Sequence, residues 1–143
     1  PICCLPLPID DAGKSALMPC CSKIVCNGCY YANKLRQLRE KLQETCLFCR
    51  HPISKNDEEK KTNLMKRVEA NDPIAMRQIG GMHQIEEDYV TAFEYWSKAA
   101  QLGDIDAHYS LSVMYERGKG VEKDVKKEIF YAEEAAIAGH PDA

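Results

Sequence analysis

Two stretches of the chain repeat each other: Lys98-Ala99-Ala100-Gln101-Leu102-Gly103-Asp104-Ile105-Asp106-Ala107 and Glu134-Ala135-Ala136-Ile137-Ala138-Gly139-His140-Pro141-Asp142-Ala143. Ala, Ala, Gly and the final Ala coincide at a spacing of 36. Upstream, Ala75, Ile79 and Met82 align with Ala107, Leu111 and Met114 at a spacing of 32. The difference falls at a turn, where Glu86-Glu87-Asp88 stands against Arg117-Gly118-Lys119-Gly120-Val121-Glu122-Lys123-Asp124. Self-similarity with a period of about 30–40 residues is the mark of a helical solenoid, because each unit buries its apolar face only against its neighbours.

The periodicity inside the repeats is helical. Tyr89, Ala92, Phe93, Trp96, Ala99 and Ala100 fall on one face at 3.6-residue spacing. Small Ala lets two backbones approach, while Phe93 and Trp96 fill the space between. Gly103 and Gly139 stand where a left-handed helix stop is wanted. Asp72-Pro73 and His140-Pro141 put Pro at a first helical position, and Asp104 offers an N-cap. Four helices are predicted, near 73–84, 88–102, 105–117 and 124–138. A polar run at 54–62 precedes a further helix over 57–70, capped by Asn56 with Glu59 three residues later, and with Leu64, Met65 and Val68 on its apolar side.

The front of the chain is chemically different. All eight Cys lie between Cys3 and Cys49. Residues 1–52 hold seven Lys/Arg and four Asp/Glu, net +3, whereas residues 53–143 hold twelve and eighteen, net −6. Neither half is basic enough to make nucleic acid the expected partner. No uncharged run is long enough to span a bilayer, so no membrane is expected either. The start, Pro1-Ile2-Cys3-Cys4, has no signal-peptide layout and reads as cut from something longer, as does the end at Ala143.

Cys26-Asn27-Gly28-Cys29 and Cys46-Leu47-Phe48-Cys49 have C-x2-C spacing, which lets two thiolates on one tight turn reach one tetrahedral metal ion. Disulfides are the competing reading, but they suit secreted chains. A redox pair would need a βαβ pattern that is absent here. Structural zinc also answers a problem of size. About 50 residues cannot easily bury enough surface to fold alone, and a structural zinc supplies about 10–16 kcal/mol of apparent binding energy. Four Cys around a zinc leave no open position for a catalytic water. Between these motifs, Leu35, Leu38 and Leu42 give residues 30–44 a helical apolar stripe, expected to pack in the core.

The cysteine spacing resembles a RING finger in its all-cysteine variant, over residues 1–52. The matching stretches are Pro1-Ile2-Cys3, Pro19-Cys20-Cys21, Ile24-Val25-Cys26-Asn27-Gly28-Cys29 and Cys46-Leu47-Phe48-Cys49-Arg50-His51-Pro52. The resemblance implies two zinc ions in a cross-brace. Cys3, Cys26 and Cys29 would hold one, whose fourth ligand would precede Pro1. Cys20, Cys21, Cys46 and Cys49 would hold the other, with Cys4 to spare. Lys23 stands where the usual RING has a ligand His, and adjacent cysteines on one ion are sterically awkward, since neighbouring side chains diverge.

The resemblance also implies a ubiquitin-conjugating E2 enzyme as partner. Ile2, Leu47 and Phe48 match apolar E2-contact positions. Arg50 matches the cation that touches both E2 and ubiquitin, a role that suits a planar guanidinium. Asn33 stands where a large apolar residue is usual.

The second half resembles Sel1-like repeats, relatives of the tetratricopeptide repeat. The matching residues are Ala107, Leu111, Tyr115, Gly118-Lys119-Gly120-Val121, Asp124, Ala135-Ala136, Gly139 and Ala143. The first repeat lacks the G-x-G-V turn, and Tyr131 stands where an apolar-aromatic pair is usual. Such repeats present a face to protein partners. With only two of them, the helix at 57–70 or further chain must cover an exposed end. His83 and His108 lack ligand spacing and read as packing or surface residues. The run at 123–127 reads as a solvated turn.

The expected fold is therefore mainly α. A small zinc-stapled α+β RING domain spans residues 1–52, a linker and connecting helix span 53–70, and an α-α solenoid of about two Sel1-like repeats spans 71–143. Two functions fit. One is an intracellular E3 ubiquitin ligase, cytoplasmic or nuclear, that docks an E2 through the RING and a protein partner through the repeats. The other is a non-catalytic zinc-binding adaptor. Ile2, Phe48 and Arg50 speak for the ligase. The absent leading Cys and Asn33 speak for the adaptor.

Overall fold

The computed structural model describes residues 15–143. It divides into two units that meet inside one helix, at Asn63 and Leu64.

In the first unit, β1 (Ser15–Met18) and β2 (Lys23–Cys26) form an antiparallel pair with Ser15 opposite Cys26 and Met18 opposite Lys23. The turn between them closes with Ser22 N–H donating to the Met18 carbonyl at 2.9 Å, and Ser22 takes φ +51°. Met18 and Val25 point inward with Cys46. The chain then enters α1 (Asn27–Arg39), with Cys26 as N-cap: its sulfur accepts from Cys29 N–H at 3.4 Å. Lys41, at φ +51°, turns the chain out of the helix. That cap and that turn place α1 earlier than the predicted 30–44.

The leucine stripe of α1 does not pack in the core. Leu35, Leu38 and Leu42 are all exposed, while Asn33 and Gln37 on the opposite side are buried. The reason is what α1 packs against. Its inner side meets the backbone of Thr45, whose polar groups need partners once buried.

Next, α2 (Asp57–Glu69) starts as expected. Asn56 Oδ1 accepts from Glu59 N–H at 2.8 Å, and the Glu59 carboxylate accepts from Lys55 N–H at 2.9 Å.

The second unit contains the end of α2 and then α3 (Pro73–Ile85), α4 (Tyr89–Gln101), α5 (Ile105–Arg117) and α6 (Val125–Ile137). These lie within a residue or so of the predicted helices, because caps mark nearly every boundary. Asp72, Asp88, Asp104 and Asp124 each cap the helix that follows. Gly103 and Gly139 take the expected positive φ after α4 and α6. Leu64 is buried against Ala75 and Ile79, with Met65, Val68 and Tyr95 around them, so this end of α2 covers the first repeat. The main cluster joins Met76, Ala92, Trp96, Ala99, Ala107, Leu111 and Met114. No helix among the described residues is long and apolar enough to cross a membrane.

α3 and α4 pack in close contact. A Cβ placed on Gly80 would lie 2.6 Å from the indole of Trp96. The indole N–H donates to the Arg77 carbonyl at 3.1 Å. The α5–α6 turn uses Gly118 as a left-handed cap, and Gly120 (φ +73°) sits where a Cβ would strike the Tyr89 carbonyl at 2.6 Å. Arg77 ties the repeats together, with its Nε 2.9 Å from Asp104 and a terminal nitrogen 3.0 Å from Asp106. His83 stacks on Tyr95, and His108 Nε2 lies 3.1 Å from the Ala100 carbonyl. Tyr131 stacks on Tyr115 at 5.7 Å.

Candidate metal centre

Four sulfurs gather in the first unit. The Sγ atoms of Cys20, Cys21, Cys46 and Cys49 all lie within 4.8 Å of one another. Cys20 and Cys49 are 3.4 Å apart, and Cys21 and Cys46 are 3.7 Å apart. Tetrahedral zinc with Zn–S bonds of about 2.3 Å sets its sulfurs about 3.8 Å apart, so the cluster has the size such an ion needs. Within the cluster Cys20, Cys21, Cys46 and Cys49 are four separate thiols rather than disulfide pairs.

Local structure explains how each thiol arrives. Cys20 and Cys21 occupy the turn between β1 and β2, where Cys21 N–H donates to the Met18 carbonyl at 3.2 Å. In a turn, adjacent side chains diverge less than on a strand, so both neighbours can face one point. Cys46 and Cys49 lie on a second closed loop. Cys46 N–H donates to the His51 carbonyl at 2.8 Å, Arg50 N–H donates back to the Cys46 carbonyl at 3.2 Å, and Thr45 bridges Pro52. Phe48 N–H donates to the Cys46 sulfur at 3.4 Å.

A polar clamp holds that second loop. Gln37 Nε2 donates to Thr45 Oγ1 at 3.0 Å, Thr45 N–H donates to Gln37 Oε1 at 3.3 Å, and Asn33 Nδ2 donates to the Thr45 carbonyl at 3.4 Å. Asn33 is therefore a buried support for the cysteine next door, a role the sequence reading did not assign to it. The signal was present: Asn33 and Gln37 are one helical turn apart, opposite the leucines.

The four thiols perturb one another electrostatically. Burial, with the neighbouring thiols second, pushes Cys20 far above the ordinary thiol range, and burial also raises Cys21. Cys49 is pulled down: burial opposes this, but the His51 N–H and the adjacent thiols outweigh it. Four thiolates this close cannot all hold charge unaided, and a divalent ion at their centre reverses that.

Cys26 and Cys29 stand at the start of α1, outside the four-sulfur group. Ile2 and Cys3 lie outside the described residues. Leu47 is half-buried against the Met18–Val25 cluster. Phe48 and Arg50 are exposed, and Arg50 takes φ +61°.

The repeats carry a second feature, an open groove of about 230 Å³ whose lining includes Gln84, Tyr89, Trp96, Tyr109, Arg117 and Lys119. Lys119 Nζ donates to the Tyr89 hydroxyl at 3.1 Å.

Comparison with known proteins places the second unit. The Sel1 repeat model matches residues 73–104 and 105–140, and no RING zinc-finger family is found. HcpC of Helicobacter pylori, a beta-lactamase by name, is 36% identical over 56 residues, 39% of this chain. The chain spans about a fifth of that relative's length, 19%. Among solved structures, Helicobacter pylori cysteine rich protein B is 30% identical with TM-score 0.58, over 61% of this chain and 68% of that one. A Sel1 repeat protein from Oxalobacter formigenes shares the fold at 23% identity and TM-score 0.56, over 59% and 68% of the two chains. A protective antigen of uropathogenic Escherichia coli matches at 27% identity and TM-score 0.54, over 77% of this chain and 22% of that one. Through the two repeats at residues 73–140, this chain belongs to the Sel1-repeat family.

Proposed function

We propose that this Sel1-repeat protein is a zinc-stapled E3 ubiquitin ligase of the RING type, acting inside the cell. A Sel1-repeat solenoid is suited to protein–protein interaction, and the groove lined by Tyr89, Tyr109 and Arg117 offers a place for the target protein. The observation that carries the finer reading is an interleaving. Cys26 and Cys29 lie in sequence between Cys21 and Cys46, yet outside the cluster that those residues form. That is the chain path of a cross-brace, in which alternate ligand pairs serve alternate ions.

In this reading Cys20, Cys21, Cys46 and Cys49 hold one zinc. Cys26, Cys29 and Cys3 belong to the other. The zinc supplies shape, with no open coordination position. Leu47, Phe48 and Arg50 ride on the loop that the cluster fixes. Phe48 and Arg50 are exposed as an E2 contact requires. Catalysis would be positional, holding the E2–ubiquitin thioester in its reactive pose.

The adaptor reading has one observation in its favour. Asn33, where the family sets a large apolar E2 contact, is turned inward onto Thr45. Auto-ubiquitination with a panel of E2 enzymes separates the two. The ligase should be active and lose at least about tenfold in Arg50→Ala, equal to about 1.4 kcal/mol of transition-state stabilisation. A zinc-loaded chain that is silent with every E2 leaves the adaptor.

A further inference from the structure

The outward side of α1 carries Tyr31, Leu35 and Leu38, and Leu42 follows just past its end; they are 57%, 62%, 56% and 52% exposed. This face is not spare core. The inner side of the same helix is committed to Thr45 through Asn33 and Gln37, so the leucines cannot turn inward without breaking that clamp. We infer that this face docks an acidic amphipathic helix of another protein.

Spacing and charge point to that occupant. Tyr31, Leu35 and Leu38 follow steps of four and three, the rhythm of a helix–helix seam, and Leu42 extends the apolar row past the helix end. At about 100° per residue, Tyr31, Leu35 and Leu38 fall within about 60° of arc. That is the width one partner helix fills, whereas a helix lying in a lipid interface presents an apolar side of about 100° or more. Lys34 and Arg39 each stand about 40° outside the seam, one on each side. Glu40, the single acidic residue from 27 to 41, lies on the opposite side of the helix. A second copy would set Lys34 and Arg39 against the same cations. A helix with glutamates beside its apolar stripe would pair with both flanks while covering the leucines.

The test uses the full chain and a fluorescent synthetic helix with leucines at the same steps and glutamates on both flanks. The same helix with lysines in place of glutamates is the control. The acidic helix should bind at least about tenfold more tightly than the basic one, and salt near 0.5 M should narrow the gap. Leu35→Asp with Leu38→Asp should abolish binding without changing the circular dichroism melt, since both side chains already face water. Lys34→Glu with Arg39→Glu should reverse the preference. Equal binding of the two helices would overturn the inference. So would a dimer in light scattering that the aspartates dissolve, or co-sedimentation with phosphatidylserine vesicles in place of peptide binding.

Discussion

In the repeats, α3 to α6 bury Ile79, Trp96, Leu111, Met114 and a row of alanines. Across residues 15–53, the buried apolar side chains are Met18, Val25 and Cys46, and the buried side chains of α1 are amides. One region is ordered by apolar area, at about 1.5–3 kcal/mol for each large side chain buried. The other is ordered by hydrogen bonds to Thr45 and by four sulfurs converging from two turns. Apolar burial is spread over many residues and degrades gradually. A four-sulfur centre is a single point on which its loops depend.

The largest expected effect follows directly. On the proposed zinc reading, stripping metal with a strong chelator should remove amide-exchange protection from residues 15–52 and leave 73–137 protected, since a structural zinc supplies about 10–16 kcal/mol of apparent binding energy. Cys46→Ser should do the same without chelator. Exchange mass spectrometry on peptides from each unit reads the outcome. Simultaneous loss in both units, or undiminished protection in the first, would break the contrast between them.

How far each region could be read in advance follows the same division. Helix boundaries in the repeats were legible because Asp72, Asp104, Gly103 and Gly118 act locally: a carboxylate accepts from an N–H two or three residues on, and a glycine adopts a positive φ. The Cys46–Cys49 pair was legible as spacing, while its grouping with Cys20 and Cys21 came only from the RING resemblance; the aim of those two depends on the dihedrals of a four-residue turn. The side on which α1 packs was misread. Periodicity locates a stripe but not the surface opposite it, and here that surface is a loop backbone. Asn33 and Gln37 meet polar groups there that leucine would have left unsatisfied. The groove lined by Tyr89, Tyr109 and Arg117 needs α3, α4 and α5 assembled, and no local pattern encodes it.

A sharper test of the apolar side of the comparison lies at Gly80 and Trp96. Trp96→Ala should cost about 3–5 kcal/mol, because the indole fills the α3–α4 contact. Gly80→Ala alone should cost about 1–3 kcal/mol, since its Cβ would sit 2.6 Å from the ring. With Trp96 already Ala, the clash is gone and only the helix preference for Ala over Gly remains. Gly80→Ala should then stabilise by up to about 1 kcal/mol. The corresponding positions of the second repeat hold Ser112 and Ala132, a small pair on both sides. Urea unfolding of the four proteins gives the cycle. A cost for Gly80→Ala that persists in the Trp96→Ala background would mean that α3 and α4 are pressed together by something other than this ring.

The smallest effect discriminates between two caps in the same solenoid. Asp88 is exposed, and the Thr91 hydroxyl and backbone N–H hold its carboxyl below the usual value. Its contribution is present above the unfolded value of 3.8 and lost as pH falls through the lower folded value. Asp104 is buried, and burial raises its carboxyl even though Arg77 opposes the shift. Its sign is reversed: the contribution is fully present below 3.8 and is lost as pH rises through the folded value. Replacing either by Asn keeps a cap acceptor and removes the titration. Measured against pH, the stability of the parent chain relative to Asp88→Asn should therefore rise with pH below 3.8. Relative to Asp104→Asn it should fall with pH above 3.8. Asp104→Ala should lose about 1 kcal/mol more than Asp104→Asn at every pH, the cost of an empty cap. Curves of the same sign for both Asn variants would mean that the Arg77 guanidinium outweighs burial at Asp104. The ion pair linking α3 to α5 would then be a net source of stability in the solenoid, and the repeats would share with the cysteine module a dependence on a few polar contacts.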